Sequence, residues 1–217
     1  MISRTGHYEL IAREAYPFMI AFFLPSVIAW WWVYPWVSLV FLCLTAFVAF
    51  FFRNPERVIP GIQGAVLAPA DGVVAEVLDL TASENLPGVP LRRVSIFMSV
   101  FNVHVNRAPV SGKVTRIVHI PGTFVDAREA SASLRNERNS LTIITEAGEF
   151  EVVQIAGKIA RRIVCWVTEG DNLNRGDRFG LIRFGSRVDV YMPLQASITV
   201  TVGSKVKAGE TAIARYP

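Results

Sequence analysis

The sequence predicts a mainly β (α+β) fold: an antiparallel β domain with barrel-sandwich-like elements, preceded by a hydrophobic helical membrane hairpin. Three observations predict it. Segment 17–52 contains no charged residue. The chain after it consists of short Val-, Ile- and Thr-rich runs separated by Gly and Pro, which is typical of strands. Within that part, segments 68–76 and 201–209 resemble each other, and each has the pattern of a turn next to a strand.

Segment 17–52 is the first element. It is longer than the ~20 residues that cross a bilayer once, and Pro25 and Pro35 interrupt it. We therefore expect two helices, at about 16–34 and 36–52, that form a hairpin. Residues 1–52 would then be the membrane anchor and residues 53–217 a single β-rich domain without an internal linker.

Positive charge flanks the apolar segment on both sides, at Arg4, Arg13, Arg53 and Arg57. Because such charge marks the cytoplasmic side, the hairpin is expected to keep both ends, and the β domain, on the cytoplasmic face of the cell membrane. One tilted span that buries tryptophans 30–32 in protein contacts is the less favoured alternative. A cleavable signal peptide is not expected, because Glu9 and Glu14 lie in its would-be leader and no small-residue cleavage site follows.

The alternating runs predict a strand at each of seven places: 73–80, 94–98, 114–120, 141–145, 150–155, 187–191 and 197–202. A weak helical pattern covers 125–134. The net charge of +4 is not gathered into a basic arm, so no nucleic-acid partner is expected. Cys43 and Cys165 have neither CxxC nor metal-ligand spacing, which argues against a disulfide framework and a zinc site.

Segments 68–76 and 201–209 both resemble the turn-and-strand units of biotinyl or lipoyl domains. This resemblance suggests a competing, non-enzymatic function: a membrane-tethered barrel-sandwich adaptor. Lys205 and Lys207 lack the usual neighbours of a modified carrier lysine, so a carrier domain is not expected. An adaptor of this kind also predicts long coiled-coil helices between the half-motifs, and no sustained heptad repeat occurs.

Few residues are candidates for chemistry. Of the three histidines, His7 precedes the apolar segment and His119 alternates along a predicted strand, which favours interfacial and structural roles. His104 lies where polar residues interrupt an apolar strand, and its residues alone leave a site and a hydrogen-bonded core histidine equally open. For Asp71, a turn-forming role is the ordinary explanation, since its side chain can cap its own backbone. A serine follows a glycine at both Ser186 and Ser204, and spacing does not choose between them.

Several enzyme classes lack support. The chain contains no GxSxG, P-loop, GxGxxG or HExxH motif. A membrane-bound hydrolase that uses Ser186 or Ser140 with His104 would therefore lack its nucleophile elbow.

Five segments, taken in order, resemble the short form of phosphatidylserine decarboxylase: 68–72 (APADG), 101–112 (FNVHVNRAPVSG), 136–139 (NERN), 154–164 (QIAGKIARRIV) and 183–189 (RFGSRVD). Together they run through nearly the whole β domain, and the junction 51–57 (FFRNPER) is similar too. Each motif is modest alone, but five in order are highly specific.

The resemblance implies that the chain is a proenzyme that cuts itself between Gly185 and Ser186. The products would be a large β chain, 1–185, and a small α chain, 186–217. Ser186, and not Ser204, matches the serine that becomes a pyruvoyl group, the only cofactor, with no metal. Glycine before the serine makes the peptide carbonyl accessible. The resemblance assigns the base that activates the hydroxyl to His104, which Asp71 would orient and charge.

The implied reaction converts phosphatidylserine to phosphatidylethanolamine and carbon dioxide in phospholipid biosynthesis. The substrate amine would form a Schiff base with the pyruvoyl group at Ser186, and His104 would protonate the carbanion left after decarboxylation. Candidate ligands for the substrate phosphate or carboxylate are Asn136, Arg138, Arg107 and Arg187. Expected partners are this lipid, the membrane and the two chains of one precursor, and a homodimer is left open.

The sequence departs from longer bacterial relatives at two places. Phe101 occupies the position of a second histidine, and 184–187 reads Phe-Gly-Ser-Arg where those relatives have Leu-Gly-Ser-Thr.

Overall fold

The structure is a computed structural model that describes residues 7–32, 34–80, 90–123, 135–157, 162–183 and 186–216. Its internal contacts divide the chain into two compact units, His7–Glu56 and Arg57–Pro217. The predicted fold class is confirmed: the structure is mainly β with antiparallel sheets, and a hairpin of apolar helices lies at the N-terminus. The weak helical pattern at 125–134 lies outside the described residues.

The first unit contains two apolar helices, α1 (Tyr16–Trp32) and α2 (Pro35–Phe51), which pack against each other after a short 3₁₀ turn at Arg13–Ala15. Pro35 begins α2, where a missing N–H leaves no helical bond unmade. Ser26 and Thr45 donate their hydroxyls to carbonyls of their own helices, at 2.7 and 2.9 Å. These back-bonds remove two polar donors from otherwise apolar surfaces.

The segments before α1 and after α2 are hydrogen-bonded to each other. The amide of Ala12 donates to the carbonyl of Phe52 at 2.9 Å, and that of Asn54 donates to Leu10 at 2.7 Å. The side-chain amide of Asn54 also donates to the carbonyls of His7 and Glu9. The chain therefore enters and leaves the helix pair at the same end, as a hairpin requires.

Length distinguishes the two apolar segments. Arg13–Trp32 is long and apolar enough to cross a membrane, whereas Pro35–Phe51 is shorter. The exposed side chains of α1 include Trp30, Trp31 and Trp32, which are 59%, 77% and 85% exposed. Exposed indoles of this kind suit a membrane interface rather than water.

The second unit is built from fourteen strands within the described residues: β1 (Ala65–Leu67), β2 (Gly72–Leu80), β3 (Leu91–Met98), β4 (Val105–Arg107), β5 (Gly112–Ile120), β6 (Arg138–Thr145), β7 (Gly148–Ala156), β8 (Ile163–Cys165), β9 (Asn172–Leu173), β10 (Arg178–Ile182), β11 (Ser186–Pro193), β12 (Ser197–Ile198), β13 (Lys205–Val206) and β14 (Ala212–Arg215). Six of the seven predicted runs lie within these strands. The seventh, 197–202, is strand only at its first two residues, because a turn with Gly203 at φ +90° follows.

The strands form one eight-stranded antiparallel sheet, in the order β13-β2-β3-β11-β7-β6-β5-β9, and two three-stranded sheets, β1-β14-β12 and β4-β10-β8. β11 lies near the middle of the large sheet. It pairs along its whole length with β3, and from Ser186 to Tyr191 with β7. Val188, Val190 and Met192 alternate into the buried core.

The two similar segments, 68–76 and 201–209, meet in the structure. Lys205 of β13 pairs with Val73 of β2, and the amide of Gly209 donates to the carbonyl of Ala68 at 2.9 Å. The barrel-sandwich-like elements are therefore two halves of one interlocked unit, in which β13 forms the edge of the large sheet beside β2.

Close packing of β2 on β3 predicts that Gly72→Ala is destabilising. A Cβ on Gly72 would overlap the carbonyl oxygen of Phe97 on the neighbouring strand, where backbone must move to make room. We expect a loss of about 1–3 kcal/mol of unfolding free energy by denaturant titration of the purified chain. The control is Gly61→Ala, whose Cβ meets nothing within 4 Å. Equal stability of the two variants would contradict this packing.

Candidate functional site

The candidate site lies where the chain passes from β10 to β11. β10 ends at Ile182 in a three-stranded sheet, and β11 begins at Ser186 in the large sheet. Gly185, the other half of the predicted cleavage site, lies outside the described residues, as does Phe184. The distances given below are therefore those of the residues on either side of 184–185, and this connection between β10 and β11 is called the corner.

The loop between Met98 and His104 contacts both flanks of the corner. Met98, the last residue of β3, is the cross-strand partner of Ser186. Six residues later, the carbonyl of His104 accepts a hydrogen bond from the amide of Ile182 at 3.4 Å. Ile182 precedes Ser186 by only four residues, at most ~14 Å of extended chain. The fold thus brings His104 and Ser186 into the same region, although they are 82 positions apart in sequence.

Ser186 is fully buried and its hydroxyl points into the protein. Its Oγ donates to the sulfur of Met98 at 3.4 Å, and Nδ2 of Asn106 donates to the same sulfur at 3.9 Å. A thioether is a weak acceptor, so neither donor is strongly held. A hydroxyl in such surroundings is easier to redirect toward another acceptor than one bound to a carboxylate.

A chain of buried side-chain amides continues from Asn106. Gln154 Nε2 donates to Asn106 Oδ1 at 2.8 Å, and Asn139 Nδ2 donates to Gln154 Oε1 at 3.1 Å. Each of the three is at most 3% exposed. Because every link has a defined donor and acceptor, the chain fixes which way the Asn106 amide faces.

His104 is 2% exposed, and its Nδ1 lies 2.9 Å from the carbonyl oxygen of Asn102. A carbonyl can only accept, so Nδ1 must be the protonated nitrogen of the neutral ring. The lone pair then lies on Nε2, which is buried. This tautomer is the one that can take a proton at Nε2.

Asp71 is held by other groups than the resemblance implies. Its carboxylate accepts from Nη2 of Arg57 at 2.8 and 3.0 Å and from the amide of Ala208 at 2.8 Å. Its hydrogen bonds within the described residues do not include His104. The implied Asp71–His104 pair is thus not formed in this structure, where the Asn102 carbonyl orients the imidazole and Arg57 takes the carboxylate.

The four predicted substrate ligands differ in burial and in what they contact. Asn136 is fully buried and donates to the carbonyl of Ala156, the second cross-strand partner of Ser186, at 2.7 Å. Arg107 is 5% exposed and donates to the carbonyl of Gly176. Arg187 is 1% exposed, and only Arg138 is half-buried. Asn136, Arg107 and Arg187 therefore lie in the interior. The first two donate to backbone carbonyls, and Arg187 donates to side chains.

Arg187 lies at the centre of a buried ionic cluster. Its guanidinium forms two hydrogen bonds to Asp189, at 2.6 and 3.1 Å, and others to Glu76 and Ser95. Burial opposes its charge, but the attraction of Asp189 and Glu76 outweighs that penalty and raises the pKa of Arg187. The cluster fixes the residue directly after Ser186 to two neighbouring strands.

Other potential nucleophiles are engaged elsewhere. Ser140 donates a 2.5 Å hydrogen bond to the buried carboxylate of Glu151. Ser204 lies in a surface turn, where its Oγ accepts from the amide of Thr201. Burial raises the pKa of the Cys165 thiol, which disfavours the thiolate. Within the part of the chain described, no group of His, Cys, Asp and Glu has the arrangement of a metal site.

The sequence analysis missed Asn106, Gln154, Asn102 and Arg57. A signal existed for the first two, because each places an amide within a run of apolar strand residues. The roles of Asn102 and Arg57 had no such signal, since one acts through its backbone carbonyl and the other through a partner fourteen positions away.

Comparisons with known proteins all return one family. The model of the family described as phosphatidylserine decarboxylase matches residues 44–214. A relative from Syntrophus aciditrophicus (strain SB) is 49% identical over 97% of this chain and 99% of its own length. Relatives from Geobacter sulfurreducens and Geotalea uraniireducens are also 49% identical, over 95% of this chain and 97% of theirs. All three are named phosphatidylserine decarboxylase proenzyme.

The buried cluster predicts that Asp189→Asn costs about 3–5 kcal/mol of unfolding free energy, since the Arg187 charge loses its principal partner in the interior. Denaturant titration measures it. Asp79→Asn is the matched control, because Asp79 forms a two-bond pair with Arg92 at the surface. We expect a much smaller loss there. Similar losses for both variants would show that the Arg187 cluster contributes no more than a surface pair.

Proposed function

Because the chain belongs to the phosphatidylserine decarboxylase family, we propose that it is a self-processing enzyme that converts phosphatidylserine to phosphatidylethanolamine and carbon dioxide. The observation that carries the proposal is the position of Ser186. It begins a central strand at the corner that the Met98–His104 loop flanks on both sides, with its hydroxyl buried and weakly held. The family match covers residues 44–214, which include this serine.

We assign cleavage to the peptide bond between Gly185 and Ser186. The Ser186 hydroxyl attacks the Gly185 carbonyl carbon, the C–N bond breaks, and an ester to Oγ and a free amine at Ser186 result. Loss of the Ser186 Cα proton then breaks the Cβ–Oγ bond and releases Gly185 as a carboxylate. The dehydroalanine that remains takes up one water and loses one ammonia, which leaves a pyruvoyl group at the start of chain 186–217.

His104 is the proposed base for the first step. Its Nδ1 proton is committed to the Asn102 carbonyl, so Nε2 is the ring atom that would take the Ser186 proton. The Asn102 carbonyl does the orienting that the resemblance gave to Asp71. In this proposal Asp71 is a positioning residue and does not contact the reacting atoms. With Arg57 and the Ala208 amide it fixes the turn at the start of β2.

The surroundings of Ser186 suit a carbonyl group in its place. The Asn106 Nδ2 donor has only a sulfur at 3.9 Å among the described residues, and a carbonyl oxygen is a far better acceptor. When formed, the pyruvoyl group supplies a ketone that takes up the substrate amine and accepts the electrons left by carbon dioxide. Asn106, held by Gln154, is positioned to donate to a carbonyl oxygen at this place.

Proton return to the substrate is also assigned to His104. The ring that took the Ser186 proton during maturation can carry one at Nε2 again and deliver it to the carbon that lost carbon dioxide. Phe101, where longer relatives have a second histidine, has no titratable group. A single imidazole therefore serves both maturation and turnover in this proposal.

The lipid substrate requires the site to work beside a membrane. We propose that the two apolar helices form a hairpin anchor with both ends on the cytoplasmic side, where arginines flank them. The hydrogen bonds between the segments that enter and leave the hairpin support this topology. The positive net charge of the chain would also favour an anionic membrane surface.

Ser186→Ala is expected to abolish cleavage and decarboxylation, since no hydroxyl remains to form the ester. Denaturing gel electrophoresis should show one uncut chain, and carbon dioxide release from phosphatidylserine should fall to background. The control is Ser204→Ala, in the surface turn, which should be cut and active. Cleavage of the Ser186 variant, or loss of cleavage in the Ser204 variant, would reassign the nucleophile.

His104→Ala is expected to slow cleavage by at least 100-fold, the lower range of what a positioned general base contributes. A pulse-chase of newly made chain measures the rate. His119→Ala, at a half-exposed strand position, is the control and should mature at the normal rate. Normal maturation of the His104 variant would place the base on another residue.

A further inference from the structure

A cleft of about 460 Å³ opens beside the candidate site, at the edge of the large sheet. Its walls are the start of β2, the end of β3, the turn that follows β3, and β13. The lining residues are Asp71, Gly72, Val73, Phe97, Ser99, Asn102, Lys205, Val206 and Lys207. It lies where the two similar segments of the chain meet, so the fold of those segments creates it.

The cleft carries a positive charge. Lys205 and Lys207 alternate with buried Val206, so both ammonium groups lie on the exposed side of β13. No carboxylate within the described residues is at ion-pair distance from Lys205, and Lys207 has only Glu210, at 3.8 Å. The one acidic group in the wall, Asp71, is neutralised by Arg57. Arg57 also lies 3.6 Å from Glu210, so these three basic and two acidic side chains together keep one net positive charge for an anion that enters the cleft.

The wall opposite the lysines offers an oriented neutral donor. Asn102 Oδ1 accepts from both the amide and the hydroxyl of Ser99, at 2.8 Å each. This fixes the side-chain amide with its oxygen turned inward and its NH₂ group outward. Within the described residues nothing accepts from that NH₂ group. A tetrahedral anion between β13 and this turn can thus be bound from two sides.

The cleft and the reacting residues share structural parts. Phe97 and Ser99, which line the cleft, flank Met98, the partner of Ser186. Asn102, which supplies the donor, also holds the His104 ring through its carbonyl. A ligand in the cleft is therefore bound by the same short loop that orients the proposed base.

We propose that this cleft binds the phosphodiester of the phosphatidylserine head group, with Lys205 and Lys207 as its cationic ligands and Asn102 as a neutral one. The inference rests on the proposed function and adds the residues that recognise the lipid. It replaces Asn136, Arg107 and Arg187 as phosphate ligands, because those side chains are buried. Phe101 and Val202 are exposed apolar residues next to Asn102 and near Lys205 in sequence, which is consistent with a lipid ligand.

The test uses the double variant Lys205→Gln/Lys207→Gln in the full chain. With soluble dihexanoyl-phosphatidylserine below its micelle concentration, we expect KM to rise at least tenfold, while kcat changes less than twofold and cleavage before Ser186 stays complete. Lys205→Arg/Lys207→Arg keeps both charges and should restore most of the affinity. Lys113→Gln removes an exposed lysine from β5 and should leave KM unchanged.

The soluble substrate distinguishes binding of the phosphate of a single lipid molecule from attraction to the phosphates of a membrane surface. If KM rises only on vesicles of phosphatidylserine and phosphatidylglycerol, and not with the soluble lipid, the lysines attract an anionic surface and the proposal is overturned. Unchanged KM on both substrates overturns it as well. A wild-type chain that is not cut, or is cut and inactive, refutes instead the function on which this inference rests.

Discussion

The position of β11 is the constraint on which the rest of the site depends. The strand begins at Ser186, lies near the middle of the eight-stranded sheet and is hydrogen-bonded along both edges, to β3 and to β7. Its first residue is therefore fixed by neighbours rather than by the peptide bond before it. A chain cut at that bond keeps its new end in place.

Strands β12 to β14 also hold the segment after the cut, because β13 pairs with β2 and β14 with β1. The segment after the cut thus remains part of both sheets without a covalent link.

Buried polar and charged side chains contact the start of β11. The faces of β11 differ: Ser186 meets Met98 and the buried amides, whereas Arg187 joins the cluster with Asp189 and Glu76. Buried amides and charges weaken a fold unless each is satisfied, and here most have defined partners. The weakest described bonds, to a methionine sulfur, occur at Ser186 and Asn106, where the proposed chemistry needs freedom to change partners.

Much of the fold could be predicted because its signals are local. An uncharged run with prolines predicts paired helices, and alternating Val- and Ile-rich runs predict strands, so six of seven runs lie within strands. The exception, 197–202, is interrupted by a turn that depends on pairing with distant β2. Ser186 and His104 could be singled out by resemblance, but their surroundings could not. His104 is oriented by the backbone carbonyl of Asn102, which any residue type could supply. The partner of Asp71 is Arg57, and this pairing depends on the path of the folded chain, which the residue types do not reveal.

The most direct test of the account is the intact mass of the wild-type polypeptides, purified from membranes in mild detergent. The account predicts two chains, 1–185 and 186–217, that stay together under native conditions. The smaller should be blocked at its N-terminus and lighter than its encoded mass by the difference between a serine and a pyruvoyl group. One full-length mass from a folded and active preparation would contradict self-cleavage, the pyruvoyl group and the role given to Ser186 together.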